Sequence, residues 1–171
     1  MEIRIRESGA VMLEGEFRAY HRANGGASWD VTTDEVLESL GADVVFEGPQ
    51  ATGGTVYQYS MRSGVEQMGG KWYTRHILGP VFTDLPATEE RPAQTAAEQE
   101  AAYKAMKDAE QAKSVRADRD ARLTGTDWIV IKHLERNENI PGVWEVYRQA
   151  LRDVPQQAGF PWSIQWPAKP E

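Results

Sequence analysis

Three histidines, 26 acidic side chains and no cysteine are the inventory from which chemistry could be built. His21, His76 and His133 stand far apart in the chain. None sits in the i,i+4 spacing that puts two imidazoles on one helix face around a metal. Without cysteine there is no thiolate ligand and no disulfide framework. Neither a nucleophile elbow, nor a phosphate-cradling loop, nor a dinucleotide fingerprint is present. The glycine pairs at 25–26, 53–54 and 69–70 read as turns. His133 lies in an apolar segment and reads as structural, and His76 reads as a surface residue on a strand. Folding can bring distant carboxylates together, but no positive feature marks an enzyme. The expectation is a protein that is not an enzyme and that carries no metal and no cofactor.

Binding chemistry has better material. Trp, Tyr and Arg dominate the energetics of protein interfaces. Trp144, Tyr147, Arg148, Arg152, Trp162 and Trp166 fall in one short stretch and form the candidate partner-binding set. A small unit also needs a core, and its tryptophans can supply one. Trp128 and Trp144 are therefore expected in the core. Trp162 and Trp166 stand open between core and partner contact, and Arg148 and Arg152 are expected on the outer side.

The 171 residues fit one ordinary domain or two small ones. Apolar residues at 40% and charged residues at 26% place the chain near the globular average. The net charge is −7 and no cluster of four or more Lys and Arg occurs, so a phosphate backbone is repelled and no nucleic-acid partner is expected. No apolar run approaches the roughly 18 residues of a membrane helix, and no membrane partner is expected. The opening Met1-Glu2-Ile3-Arg4-Ile5-Arg6 is not a signal peptide pattern.

Three stretches of different character must position the anchors. Residues 1–85 read as a β-rich domain of about five strands and one helix. Ile3 and Ile5 alternate with arginines, as in a half-buried strand, and residues 11–17 read as its hairpin partner. Thr32 is the expected cap of a helix running to Leu40. Further strands are expected at 44–46, 56–61, 65–68 and 71–77, with Gly69-Gly70 as a hairpin turn. Residues 86–123 read as a linker and a long Ala- and charge-rich helix from about Pro92, either solvated or docked by a narrow Ala face. Residues 124–171 read as a small helical module. Its first helix, around Trp128–Leu134, is apolar nearly all round and is expected to be buried. Its second carries Ile140, Val143, Trp144, Tyr147 and Leu151 at helical spacing. The fold class is α+β.

Thr126-Asp127-Trp128, Pro141-Gly142-Val143-Trp144, the run from Tyr147-Arg148 through Ala150-Leu151-Arg152 to Pro155, then Gly159-Phe160-Pro161 and Trp166-Pro167 together resemble the C-terminal module of bacteriophage tail assembly chaperones and tail-fibre assembly proteins. The resemblance covers residues 124–171. Gly41 to Pro49 and Gly70-Lys71-Trp72-Tyr73 are similar to the front half of uncharacterised phage proteins that carry this module. The resemblance implies a non-enzymatic assembly factor that binds a phage tail-fibre or tail protein in the host cytoplasm. It equally allows a permanent virion component, such as a tail fibre, fibre-tip or baseplate-attached subunit. A homo-oligomer is compatible with either, and a trimer with a fibre component.

Overall fold

In a computed structural model describing all residues from Met1 to Glu171, the chain is α+β, with 40% helix and 19% strand. It divides into two units, Met1–Val81 and Phe82–Glu171.

The first unit is built on a five-stranded mixed sheet. Its elements run β1 (Glu2–Ile5), β2 (Val11–Leu13), α1 (Glu14–Ala23), α2 (Asp34–Ser39), β3 (Ala42–Phe46), β4 (Tyr59–Met68) and β5 (Lys71–Gly79). The strand order is β2-β1-β3-β5-β4, with β3 and β5 parallel and the other pairs antiparallel. The period of two puts Ile3 and Ile5 on one face, where they pack with Phe17, Leu37 and Ala42. On the opposite face Arg62 grips Glu2 through two bonds of 2.5 and 2.6 Å, and the Arg4 guanidinium lies 3.8 Å over the Trp72 ring. The Arg62 bond holds the Glu2 carboxyl below its ordinary value.

Local chemistry explains where the strand and helix boundaries differ from expectation. Residues 11–17 are not one strand: β2 stops at Leu13, and α1 begins with the Glu16 carboxylate accepting from the Leu13 N–H at 2.8 Å. Helix α1 is then amphipathic, and it buries Phe17 against Ile3 and Ile5. Thr33, not Thr32, caps α2. The Thr32 hydroxyl is engaged elsewhere, donating to Glu14 at 2.5 Å and accepting from Arg18 and Trp29. Residues 59–61 of the run expected at 56–61 and the run at 65–68 belong to one strand, β4, whereas residues 56–58 precede it; β4 breaks register between Arg62 and Val65, where Gly64 has φ +80°. Gly69 and Gly70 form the hairpin turn, with φ of +56° and +80°. A two-residue turn of this hand needs positive φ at both positions.

The second unit contains α3 (Ala96–Thr124), α4 (Asp127–Glu135), α5 (Gly142–Asp153) and a short 3-10 turn, Val154–Gln156. Thr95 starts α3 through a reciprocal capping box with Glu98, so the helix begins after the expected Pro92. The Thr95 backbone N–H holds the Glu98 carboxyl below its ordinary value. The pairs Glu100–Lys104 and Asp118–Arg122 form at 2.6 and 3.1 Å. The second half of α3 is docked rather than solvated. Ala112 and Val115 are buried there, and α5 and the 3-10 turn pack against this helix. Leu151 and Val154 are completely enclosed.

Helix α4 departs from expectation. Only Ile129 is buried on it, whereas Trp128, Ile131 and Leu134 are 58%, 54% and 77% exposed. A nine-residue helix resting on the end of α3 has neighbours for one side only, and an apolar outer side stays in water when nothing else covers it.

Candidate partner-binding surface

Arg148 fixes the geometry of the second unit. Its guanidinium donates to the Leu123 carbonyl at 3.0 Å, to the Thr126 hydroxyl at 2.5 Å and to Asp127 at 2.8 Å. One side chain of α5 thus ties down the last turn of α3 and the first of α4. The planar fork of arginine suits three acceptors in fixed directions. Thr126 is 2% exposed and returns its own hydroxyl proton to Leu123 O at 2.8 Å. Arg148 therefore lies inward, unlike the expectation of an outer position.

The C-terminal segment folds back on α3. The Trp162 indole N–H donates to Asp108 at 2.6 Å. The Arg116 guanidinium stands 5.2 Å over the Phe160 ring, and that of Arg122 stands 4.3 Å over Trp166. The Gln157 side chain both donates to and accepts from the Gln165 backbone at 2.9 Å. Trp144 meets Tyr147 edge-on with centroids 6.0 Å apart, and Tyr147 is 5% exposed. Of the six residues picked out in the sequence, Trp144, Tyr147, Arg148, Trp162 and Trp166 engage the module itself. Trp144, Trp162 and Trp166 keep a partly exposed edge, and Arg152 is exposed.

Sequence reasoning missed the surface that these contacts leave open. Trp128, Ile131 and Leu134 on α4 and Val143 and Val146 on α5 are all more than half exposed. Val146 also lines an open groove of about 490 Å³, with Val130 and Ile140 completing its apolar lining and Glu145, Arg148, Gln149 and Arg152 as its polar wall. A second cleft is lined by Trp128, Lys132, His133, Pro141 and Trp144. One signal was available. Val146 lies off the stripe formed by Val143, Trp144, Tyr147 and Leu151, so the helix could not turn it and that stripe into a single small core.

Groups suited to bond-making chemistry are not gathered here. His21 packs on Trp29, His76 lies 3.4 Å from Glu47, and His133 lies 3.3 Å from Glu138. No group of three or more His, Asp or Glu side chains is placed to hold a metal. No helix is long and apolar enough to cross a membrane. What the surface can do is bury apolar side chains. Each fully covered Val, Leu or Ile side chain contributes about 1.5–3 kcal/mol.

Comparison with known proteins bears on this same unit. Residues 112–171 match the family model of the phage tail assembly chaperone protein. The resemblance carried by Trp128, Trp144, Tyr147, Arg148 and Trp166 is therefore borne out over the C-terminal module. The match begins in the docked half of α3 and includes α4, α5 and the returning tail. No curated protein and no solved structure matches the chain.

Proposed function

With a phage tail assembly chaperone module at residues 112–171 as the premise, we propose that this protein is a non-enzymatic assembly factor that holds a phage tail or tail-fibre polypeptide through the outer face of α4 and α5. The observation that carries the reading is the concentration of exposed Trp128, Ile131, Leu134, Val143 and Val146 inside the matched segment. Monomeric proteins rarely leave a large contiguous apolar patch uncovered, and such patches mark interaction sites. Arg152, in the wall of the groove beside Val146, and Trp144, in the cleft beside Trp128, add residue types that anchor interfaces.

The physical task fits the surface. A fibre polypeptide that intertwines late in assembly exposes strand edges and apolar faces beforehand. A partner that covers such a face keeps the chain dispersed until assembly proceeds. The β-rich first unit favours a second reading, in which the protein stays in the particle and the first unit is its attachment point.

Co-expression separates function from coincidence. The soluble yield of the tail or fibre polypeptide of the same phage should rise in the presence of this chain, and an unchanged yield counts against the reading. Mass spectrometry of purified particles then distinguishes the two versions. A transient factor is absent from them, and a structural subunit is present in stoichiometric amount.

A further inference from the structure

We propose that the α5 face also pairs with α5 of a second copy of this chain, in an antiparallel two-fold arrangement held by reciprocal Glu145–Arg152 ion pairs. The groove's own wall carries the argument. Glu145, Gln149 and Arg152 follow at i, i+4 and i+7, so they share one face of α5. At 1.5 Å per residue, Glu145 and Arg152 stand about 10 Å apart along the axis. Both are exposed, and neither makes an ion pair or a side-chain hydrogen bond within the chain. Arg148, in contrast, is committed to Leu123, Thr126 and Asp127, and Gln149 donates to Asp153 at 2.9 Å. The wall thus presents a free carboxylate at one end and a free guanidinium at the other.

That pattern is complementary to itself. Turned end for end about a two-fold axis through the middle of α5, a second helix sets its Arg152 opposite Glu145 and its Glu145 opposite Arg152. The same operation covers the exposed Val146 of both copies, as an isologous interface requires. An extended strand would find no backbone ladder on these walls, because helical N–H and C=O groups are bonded internally. Helix α5 is only about 18 Å long, so the contact is smaller than a standard stable interface. The dimer is consequently weak, and a client polypeptide that uses the same face displaces it. Self-pairing then covers Val146 and its groove while no client is present. The test below needs no client, so its failure leaves the client-binding reading standing.

Sedimentation velocity on the full chain over a rising concentration series tests the pairing. The wild type should show a monomer–dimer equilibrium. Glu145→Arg and Arg152→Glu, each confirmed folded by circular dichroism, should each weaken association by about tenfold or more, because like charges then face each other. An equimolar mixture of the two variants restores every opposite-charge pair and should recover dimers, as should the doubly swapped chain. A wild type that stays monomeric, or one that forms a trimer, overturns the proposal. Single variants that dimerise as the wild type does overturn it as well, and so does a mixture that fails to recover.

Discussion

Replacing Arg148 with methionine tests whether one guanidinium ties α3, α4 and α5 together. Methionine keeps the unbranched stem and removes the fork. The side chain is 12% exposed, so its bonds to Leu123 O and Thr126 Oγ1 form largely out of water. Hydrogen bonds from a charged donor contribute about 1.5–3 kcal/mol each. The Asp127 carboxylate is half exposed, so that pair is held to at most about 1 kcal/mol. Leu123 O keeps its bond from the Thr126 hydroxyl, which trims the loss. The net cost is then about 3 kcal/mol. For a unit of this size that lowers the melting temperature by roughly 12–24 °C. Circular dichroism at the helical minimum reads the second unit, where α3 dominates, and tryptophan fluorescence provides a second probe. Arg148→Lys should fall between the two, since a single ammonium cannot meet three acceptors in fixed directions. A methionine variant that melts with the wild type refutes the reasoning and returns Arg148 to the partner surface.

Other perturbations check separate parts of the account. Leu151→Ala should cost the second unit about 2–5 kcal/mol, because that side chain is completely enclosed; a chemical-denaturation midpoint reads it. Gly48→Ala should destabilise the first unit and leave the second unchanged in thermal melts. A methyl there would stand 2.0 Å from the Thr74 carbonyl oxygen, and the Gly48 N–H is bonded to the Thr74 hydroxyl at 2.7 Å. The Glu14 carboxyl is held below its ordinary value by the Thr32 hydroxyl first and Arg18 second. Its contribution is complete above the ordinary carboxylate range and is lost as the pH falls through the lowered value. Glu14→Gln should therefore flatten the acid side of the first unit's stability–pH curve, and an unaltered acid limb would argue against this role.

Short-range chemistry made much of the fold readable from the sequence. The alternation of Ile3 and Ile5 and the Gly69-Gly70 turn are each decided by neighbours in the chain. The resemblance of the C-terminal module was legible too, carried by Trp128, Trp144, Tyr147, Arg148 and Trp166, and the family model matches residues 112–171. Competition between equally good local options was harder to read. Thr32 and Thr33 are both competent caps, and the choice rests on Glu14 and Arg18, which arrive from α1. Helix α1 was hidden because Val11, Leu13 and Phe17 also suit a strand. The exposed face was harder to read for a tertiary reason. Aromatic residues anchor interfaces and cores equally well. Here α3 supplies Asp108, Arg116 and Arg122 to hold Trp162, Phe160 and Trp166 from a distance no local pattern encodes. The exposed positions went instead to Ile131, Leu134 and Val146, residue types that sequence reasoning assigns to the interior.

The most direct test of the account is capture of the tail or fibre polypeptide by a chain carrying Ile131→Ser, Leu134→Ser and Val146→Ser together. All three positions are more than half exposed, so folding and melting should be preserved. Capture and the gain in soluble yield should fall to the level seen without the chain. A folded triple variant that still captures the polypeptide as the wild type does would contradict the claim that the α4–α5 face is the grip.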